Sequence, residues 1–564
     1  MVKILTMCKP SLLTIPVELI QCINEELNIE DTKQLRLTCK HFAETLSGSI
    51  FHTLSINITP ETREKSLLQL SSLAGVADLS NEHDHPAQWE ARILRILSLP
   101  NVSYASVGES ADLEEIKHIE DEIRVCLLKA IASLKGIQEV SWVHDRLDRE
   151  WASLAVLEAL KGLPNLRKFH VVTSHCSLPV PFTSLKSLQA ISFEAPMGDC
   201  IDSGKAMFDN LAKAISVFGP TGQLTSLDVS HKWHSFPSYG QNESIHSLFK
   251  YYPQGAAPMR LRHLGLKACF VTLDEAILPH LASLNSLKLS EIKDDYRIQD
   301  ALPASSTSSH SSSDIEGIWT ALTKAGIQLK EITTDFVTSS FLTYLSSYSG
   351  LRKLHISGPG GFDDNQSSDI MAQRFFGQAL RPHAQSLEDF QIKAHYSGFW
   401  CFDEQNVSAL SELTNLRNLG LRIISSQLWE KRHFKKKAAQ AKPDTIELLL
   451  DTVVTHMPRL QALSISLATP AYRRGAKCGS STPALDARLE RQMIQNVGMY
   501  RAPPSCRYLP HWLQRACMHL IVSKQLVATR VPMLQVCCGM RVHSPKLRKG
   551  KARENEQGSF GKEA

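Results

Sequence analysis

Eleven times between Ile137 and Ile465 the chain sets out an apolar residue, a second one three positions later and a third two positions after that. The phrases are Ile137/Val140/Trp142, Leu166/Phe169/Val171, Leu188/Ile191/Phe193, Leu224/Leu227/Val229, Leu261/Leu264/Leu266, Leu284/Leu287/Leu289, Leu329/Ile332/Thr334, Leu351/Leu354/Ile356, Leu387/Phe390/Ile392, Leu416/Leu419/Leu421 and Leu460/Leu463/Ile465, with Thr334 the one polar member. The last two members of each phrase are one strand period apart, so they point to one face and the residue between them to the other. Between phrases lie helical patterns such as Trp151-x-x-Leu154-x-x-Leu157-x-x-Leu160 and Ile446-x-Leu448-Leu449-x-x-Thr452-Val453. One strand–helix unit cannot bury its apolar face alone, whereas stacked units share a core in which each fully buried aliphatic side chain contributes about 1.5–3 kcal/mol. The fold class expected is α/β, with parallel strands on one side and helices on the other.

The phrase resembles the leucine-rich repeat L-x-x-L-x-L, in which every repeat gives one strand to the concave side of a horseshoe and a helix to its convex side. Successive phrases start between 22 residues (166 to 188) and 45 residues (284 to 329) apart, so the horseshoe is irregular, with inserted segments or degenerate repeats. The asparagine or cysteine that regular repeats place after the strand is mostly absent, Cys269 after Leu266 being a partial exception. Strand alternation sends Leu419 and Leu421 into the core and Gly420 and Arg422 to the concave surface. Arg422, Lys288, Lys353 and His355 are the candidate substrate surface, and Arg422 is expected to matter for partner capture and little for stability.

Near the start, Pro16 stands where a helix can begin, because its missing N–H falls among donors that are unpaired there anyway. Leu19, Ile20, Ile23 and Leu27 recur at helical spacing, and Asp31 with Gln34 forms a capping-box variant opening a second helix that carries Leu35 and Leu37 toward the same small core. Cys39, Phe42 and Leu46 continue into a third helix.

This order of residues resembles the F-box, the module by which substrate receptors attach to the Skp-type adaptor of cullin–RING ubiquitin ligases. Ile15-Pro16-x-Glu18-Leu19 stands where the family has Leu-Pro-x-Glu-Leu, and Leu37-Thr38-Cys39-Lys40-x-Phe42 where it has Val-Cys-Lys-x-aromatic. Departures are Asn24 at a usually apolar place, Thr32 in place of the common Leu, and Phe42 in place of the frequent Trp. Together with the degenerate repeats, the likeness is to F-box substrate receptors of the fungal type. It implies adaptor docking through Ile15, Pro16, Leu19, Ile23, Leu35 and Leu37.

Other function classes find no motif. The chain has no G-x-x-x-x-G-K-[ST] loop, no H-E-x-x-H, no C-x-x-C and no G-x-S-x-G, so no catalytic residue, cofactor or metal is expected. Thirteen scattered cysteines suit a reduced compartment, cytoplasmic or nuclear. No long uncharged apolar run is present, so no membrane span is expected. A net charge of +5 does not imply nucleic acid, and the basic clusters 431–437 and 546–553 are read as solvated loops. The serine-rich run 304–313 and the segment 80–86 read as loops, and Gly358-Pro359-Gly360-Gly361 as a turn after a strand.

Four regions follow: an F-box-like module over 12–54, a helical linker or cap over 55–132, the repeats over 133–474, and a degenerate, poorly ordered tail over 475–564. The function expected is a non-catalytic subunit of a Skp/cullin/F-box ubiquitin ligase. It docks on the Skp-type adaptor, and through it on a cullin, and holds a protein target in the repeat concavity. The alternative is a leucine-rich-repeat binding scaffold with no ubiquitin role.

Overall fold

The last two members of each of the eleven phrases lie in a strand of a single parallel sheet, the first member just ahead of it. The structure, a computed structural model, describes residues 15–27, 29–59, 61–76, 91–100, 113–145, 147–173, 180, 182–195, 201–231, 244–292, 315–360, 365–424, 445–469 and five positions between 491 and 500. The strands are β1 (Thr53–Asn57), β2 (Ile93–Ser98), β3 (Glu139–His144), β4 (Lys168–Thr173), β5 (Ala190–Ala195), β6 (Ser226–His231), β7 (His263–Lys267), β8 (Ser286–Ser290), β9 (Glu331–Phe336), β10 (Lys353–Gly360), β11 (Asp389–Ile392), β12 (Asn418–Ile424) and β13 (Ala462–Ala468). Their spatial order is their chain order, and each pairs in parallel with the next.

Three helices precede the sheet, α1 (Val17–Glu26), α2 (Ile29–Arg36) and α3 (Lys40–Phe51). The crossovers contain α4 (Arg63–Val76), α5 (Leu113–Ser133), α6 (Glu150–Lys161), α7 (Ile201–Phe218), α8 (Ile245–Phe249), α9 (Ile315–Lys324), α10 (Ser339–Ser346), α11 (Asn365–Arg374), α12 (Val407–Ser411) and α13 (Thr445–His456).

The phrase is the core. None of its members is more than 3 % exposed in any of the eleven repeats, and they pack in one continuous cluster with helix residues such as Leu127, Val156, Leu211, Trp319 and Leu449. Thr334 is tolerated among leucines because its hydroxyl donates to the Phe336 carbonyl and accepts the Phe336 N–H, both at 3.1 Å. In α6 the buried stripe is Ala152, Val156, Leu157, Ala159 and Leu160, leaving Leu154 outside.

The sheet begins earlier than the phrases suggest. The region expected as a helical linker over 55–132 holds β2 and most of β1, joined through Thr53↔Ile93 and Ile93↔Glu139 pairing to the repeats. Its phrase is Ala91/Leu94/Ile96, fully buried, and the small alanine at the first place hides it from a search for large aliphatics. The 45-residue gap between phrases is an insertion rather than a missed repeat, since β8 pairs directly with β9. Strand β10 also runs on through the expected turn: after a register shift Gly360 pairs with Phe336. At the far end, Met493, Val497 and Tyr500 belong to the same core, and the Tyr500 hydroxyl donates to Asp451 at 2.7 Å. The tail expected over 475–564 thus contributes core residues. The loops 80–86 and 304–313 and both basic clusters lie outside the described residues, and among those described no helix is long and apolar enough to cross a membrane.

Candidate docking and recognition surfaces

The three N-terminal helices have a core of their own, Ile20, Phe42 and Leu46, with Ile15, Leu35 and Cys39 packed against it. Pro16, with φ −56° and ψ 145°, precedes the first helical residue, and its carbonyl accepts the N–H groups of Leu19 and Ile20. Cys39 is extended and opens α3, its carbonyl accepting the Ala43 N–H at 2.9 Å. Helix α2 starts at Ile29, so Asp31 lies within its first turn and faces the helix dipole favourably instead of capping it.

The residues expected to dock an adaptor divide into two groups. Ile15 and Leu35 support the small core. Leu19, Ile23 and Leu37 are 54 %, 45 % and 74 % exposed, joined by Val17 at 41 % and by exposed Pro16. Leu19 and Ile23, four residues apart, share a face of α1 turned away from Ile20. Leu37 follows the end of α2 and is held in the connecting turn by its N–H bond to Gln34 at 3.0 Å, so it does not reach the core as its position in the sequence suggested. A unit this small thus carries several large apolar side chains in water, the usual mark of an interaction site.

The second surface is the open face of the sheet. On it His263 of β7 bonds Asp228 of β6 through Nε2 at 3.0 Å and Ser286 of β8 through Nδ1 at 2.9 Å, and Ser286 donates to Glu331 of β9 at 3.1 Å. A second group joins β10 to β11: His355 Nε2 lies 2.8 Å from Asp389, which also accepts from Gln391 at 3.3 Å. Burial disfavours the charged Asp389 carboxyl, yet the hydrogen bonds from His355 and Gln391 and the nearby Lys353 ammonium hold it below the usual carboxylate range. His170 and Ser192 pair likewise across β4 and β5 at 2.8 Å.

Of the four residues expected to receive a substrate, Lys288 stands exposed on β8, while Lys353 sits in register between Glu331 and Asp389. His355 is engaged with Asp389. Arg422 departs from expectation. It leaves the open face to lie against the segment after β11, donating from Nη1 to the Ala394 carbonyl at 2.9 Å, and burial lowers its pKa. Its side chain is structural in part because residues 393–402 fold over the ends of β12 and β13, an element the phrase pattern does not show. Sequence reasoning missed Asp228, His263, Ser286, Glu331 and Asp389. They occupy the outward places of their phrases, so the repeat register itself was the signal for them. Among the described residues no three His, Cys, Asp or Glu side chains converge in a way that could hold a metal ion.

A sequential parallel sheet, crossovers that carry an α-helix in ten cases and a short 3-10 turn between β4 and β5 and between β7 and β8, and a continuous apolar core define a leucine-rich-repeat-like αβ scaffold. No family model matches the chain and no curated protein matches it. Among solved structures, the crystal structure of an internalin from Listeria monocytogenes is similar over 60 % of this chain and 77 % of its own, at 13 % identity and a TM-score of 0.24. The repeat architecture rests on the strand pairing itself.

Proposed function

We propose that the chain is a substrate-recognition subunit of a Skp/cullin/F-box-type ubiquitin ligase, docked through its N-terminal helices and presenting a protein target on the repeat sheet. The observation that carries this reading is the exposure of Val17, Leu19, Ile23 and Leu37 on a module whose own core is complete without them. Their residue order is that of the F-box resemblance. The chemistry is proximity: tethering raises the effective concentration of a target lysine near the charged ubiquitin carrier, with no reactive side chain from this chain.

The test is co-purification of the full chain with a Skp-type adaptor, comparing wild type with Leu19→Glu/Leu37→Glu. Both side chains are exposed, so the double variant should melt like wild type while losing the adaptor. Adaptor retained by the folded double variant would reject the docking assignment and leave the repeat scaffold as a binding protein without a ubiquitin role.

A further inference from the structure

The residue after the first apolar member of each phrase is outside both the core and the strand, and the structure stacks these residues in single file along the N-terminal edge of the sheet. Each donates its backbone N–H to the carbonyl of its counterpart one repeat earlier: Arg167 to Gln138 and Arg262 to Thr225 at 2.8 Å, Arg352 to Lys330 at 2.8 Å, Arg417 to Glu388 at 2.7 Å. The ladder is continuous from Arg92 to Gln461, so its side chains follow one another at the strand spacing of about 4.8 Å.

The charge of this row is one-sided. Arg92, Arg167, Arg262, Lys330, Arg352 and Arg417 are all exposed, and the one acidic member is Glu388. In a chain whose net charge is only +5, six bases against one acid in a single file is a concentrated positive edge. Glu388 shows what the edge accepts: its carboxylate lies 3.7 Å from Nε of Arg417 in the next repeat. Arg262, Lys330 and Arg352 have no ion pair within 4.0 Å among the described residues. The row carries no aromatic side chain on which a nucleic-acid base could stack.

We propose that this row is a docking edge for an acidic polypeptide segment, an extended run of Asp and Glu side chains seated across β7 to β12 on Arg262, Lys330, Arg352 and Arg417. Five strand spacings make about 24 Å, the length of roughly seven extended residues. The site is separate from the adaptor-docking helices, and neither reading depends on the other.

The experiment follows the fluorescence anisotropy of a labelled octaglutamate peptide on the full chain. The peptide should bind, release at high salt, and bind about tenfold more weakly to Arg262→Glu/Arg352→Glu, as reversal of rim charges weakens association. Arg95→Glu, on the open face of β2, should bind the peptide like wild type. Absence of peptide binding, equal binding by the double variant, loss in Arg95→Glu, or displacement by oligothymidylate more effective than by unlabelled peptide would each overturn the proposal.

Discussion

The imidazole Nδ1 of His383 lies 3.3 Å from the backbone nitrogen of Leu351, 32 residues earlier, and accepts its N–H inside the core. Its Nε2 donates to the Leu345 carbonyl at 3.0 Å, so the hydrogen is on Nε2 and the ring is neutral. Three repeats earlier His280 likewise accepts a backbone N–H, that of Met259 at 3.1 Å, and both histidines stand four residues before a phrase, Leu284 and Leu387. A buried side chain thus satisfies the backbone of the preceding turn, where the chain leaves helix geometry before it has reached the strand. His383→Leu should destabilise by about 1–3 kcal/mol for each backbone group left unpaired. His383→Gln, which keeps an acceptor and a donor, should lose less. Chemical denaturation of the two variants checks the order.

The same burial gives a pH signature. Desolvation pushes His383 down to about 4, below the ordinary value of about 6.5 expected in the unfolded chain. Between those values the unfolded chain binds more protons, so the contribution is complete above about pH 6.5 and is lost as pH falls toward 4. From neutral pH to pH 5 the loss is about 2 kcal/mol. Asp148 works in the opposite direction, because burial raises its carboxyl to about 7 and favours its protonated form in the fold over the same range. Wild type therefore shows the sum, and the difference between wild type and His383→Gln isolates the histidine. A difference that stays constant from pH 7 to pH 5 would exclude this role.

Strand β12 separates inward from outward positions. Leu419→Ala removes a side chain 2 % exposed and should cost about 2–5 kcal/mol. Arg422→Ala removes the bond to the Ala394 carbonyl and should cost about 1 kcal/mol, a small but measurable loss that an unattached open-face side chain would not show.

How far the sequence reached follows from what each position must satisfy. Core positions were legible because period and apolarity coincide in them, as in Leu351/Leu354/Ile356. Repeats with a small first member, such as Ala91, were not, since alanine is equally at home in a helix. The F-box-like order located the N-terminal helices, but not which of Leu19, Ile20 and Ile23 turns inward, a choice made by packing on Phe42 and Leu46. The open-face network escaped because the outward places of the phrases have a position but no fixed residue type; His263 and Ser286 become partners only once the register of β7 and β8 is known.

Gly265, between Leu264 and Leu266, is buried on the open face because the Asp228 side chain leans across it; a methyl group there would collide with the Asp228 carboxylate. Gly265→Ala should displace Asp228 and break its bond to His263. The destabilisation should shrink in an Asp228→Ala background, where nothing remains to displace. Thermal melts of the four proteins form a double-mutant cycle, and additive effects would refute the coupling.

Among the described residues no strand pairs with β13 on its far side, where its inward side chains Leu463 and Ile465 lie at the end of the core. Met493 and Val497, 1 % and 0 % exposed, join the same core, and the Tyr500 hydroxyl ties their segment to α13, the helix before β13, through Asp451. Removing residues 475–564 should therefore destabilise the repeats by about 1.5–3 kcal/mol for each apolar side chain lost, rather than leave them unchanged as a solvated tail would. Val497→Asp in the full chain should reproduce most of that loss, and Tyr500→Phe a smaller one near 1 kcal/mol, about the worth of one hydrogen bond. Melting temperatures that do not move in either the truncated chain or Val497→Asp would show that the repeat array closes without these residues.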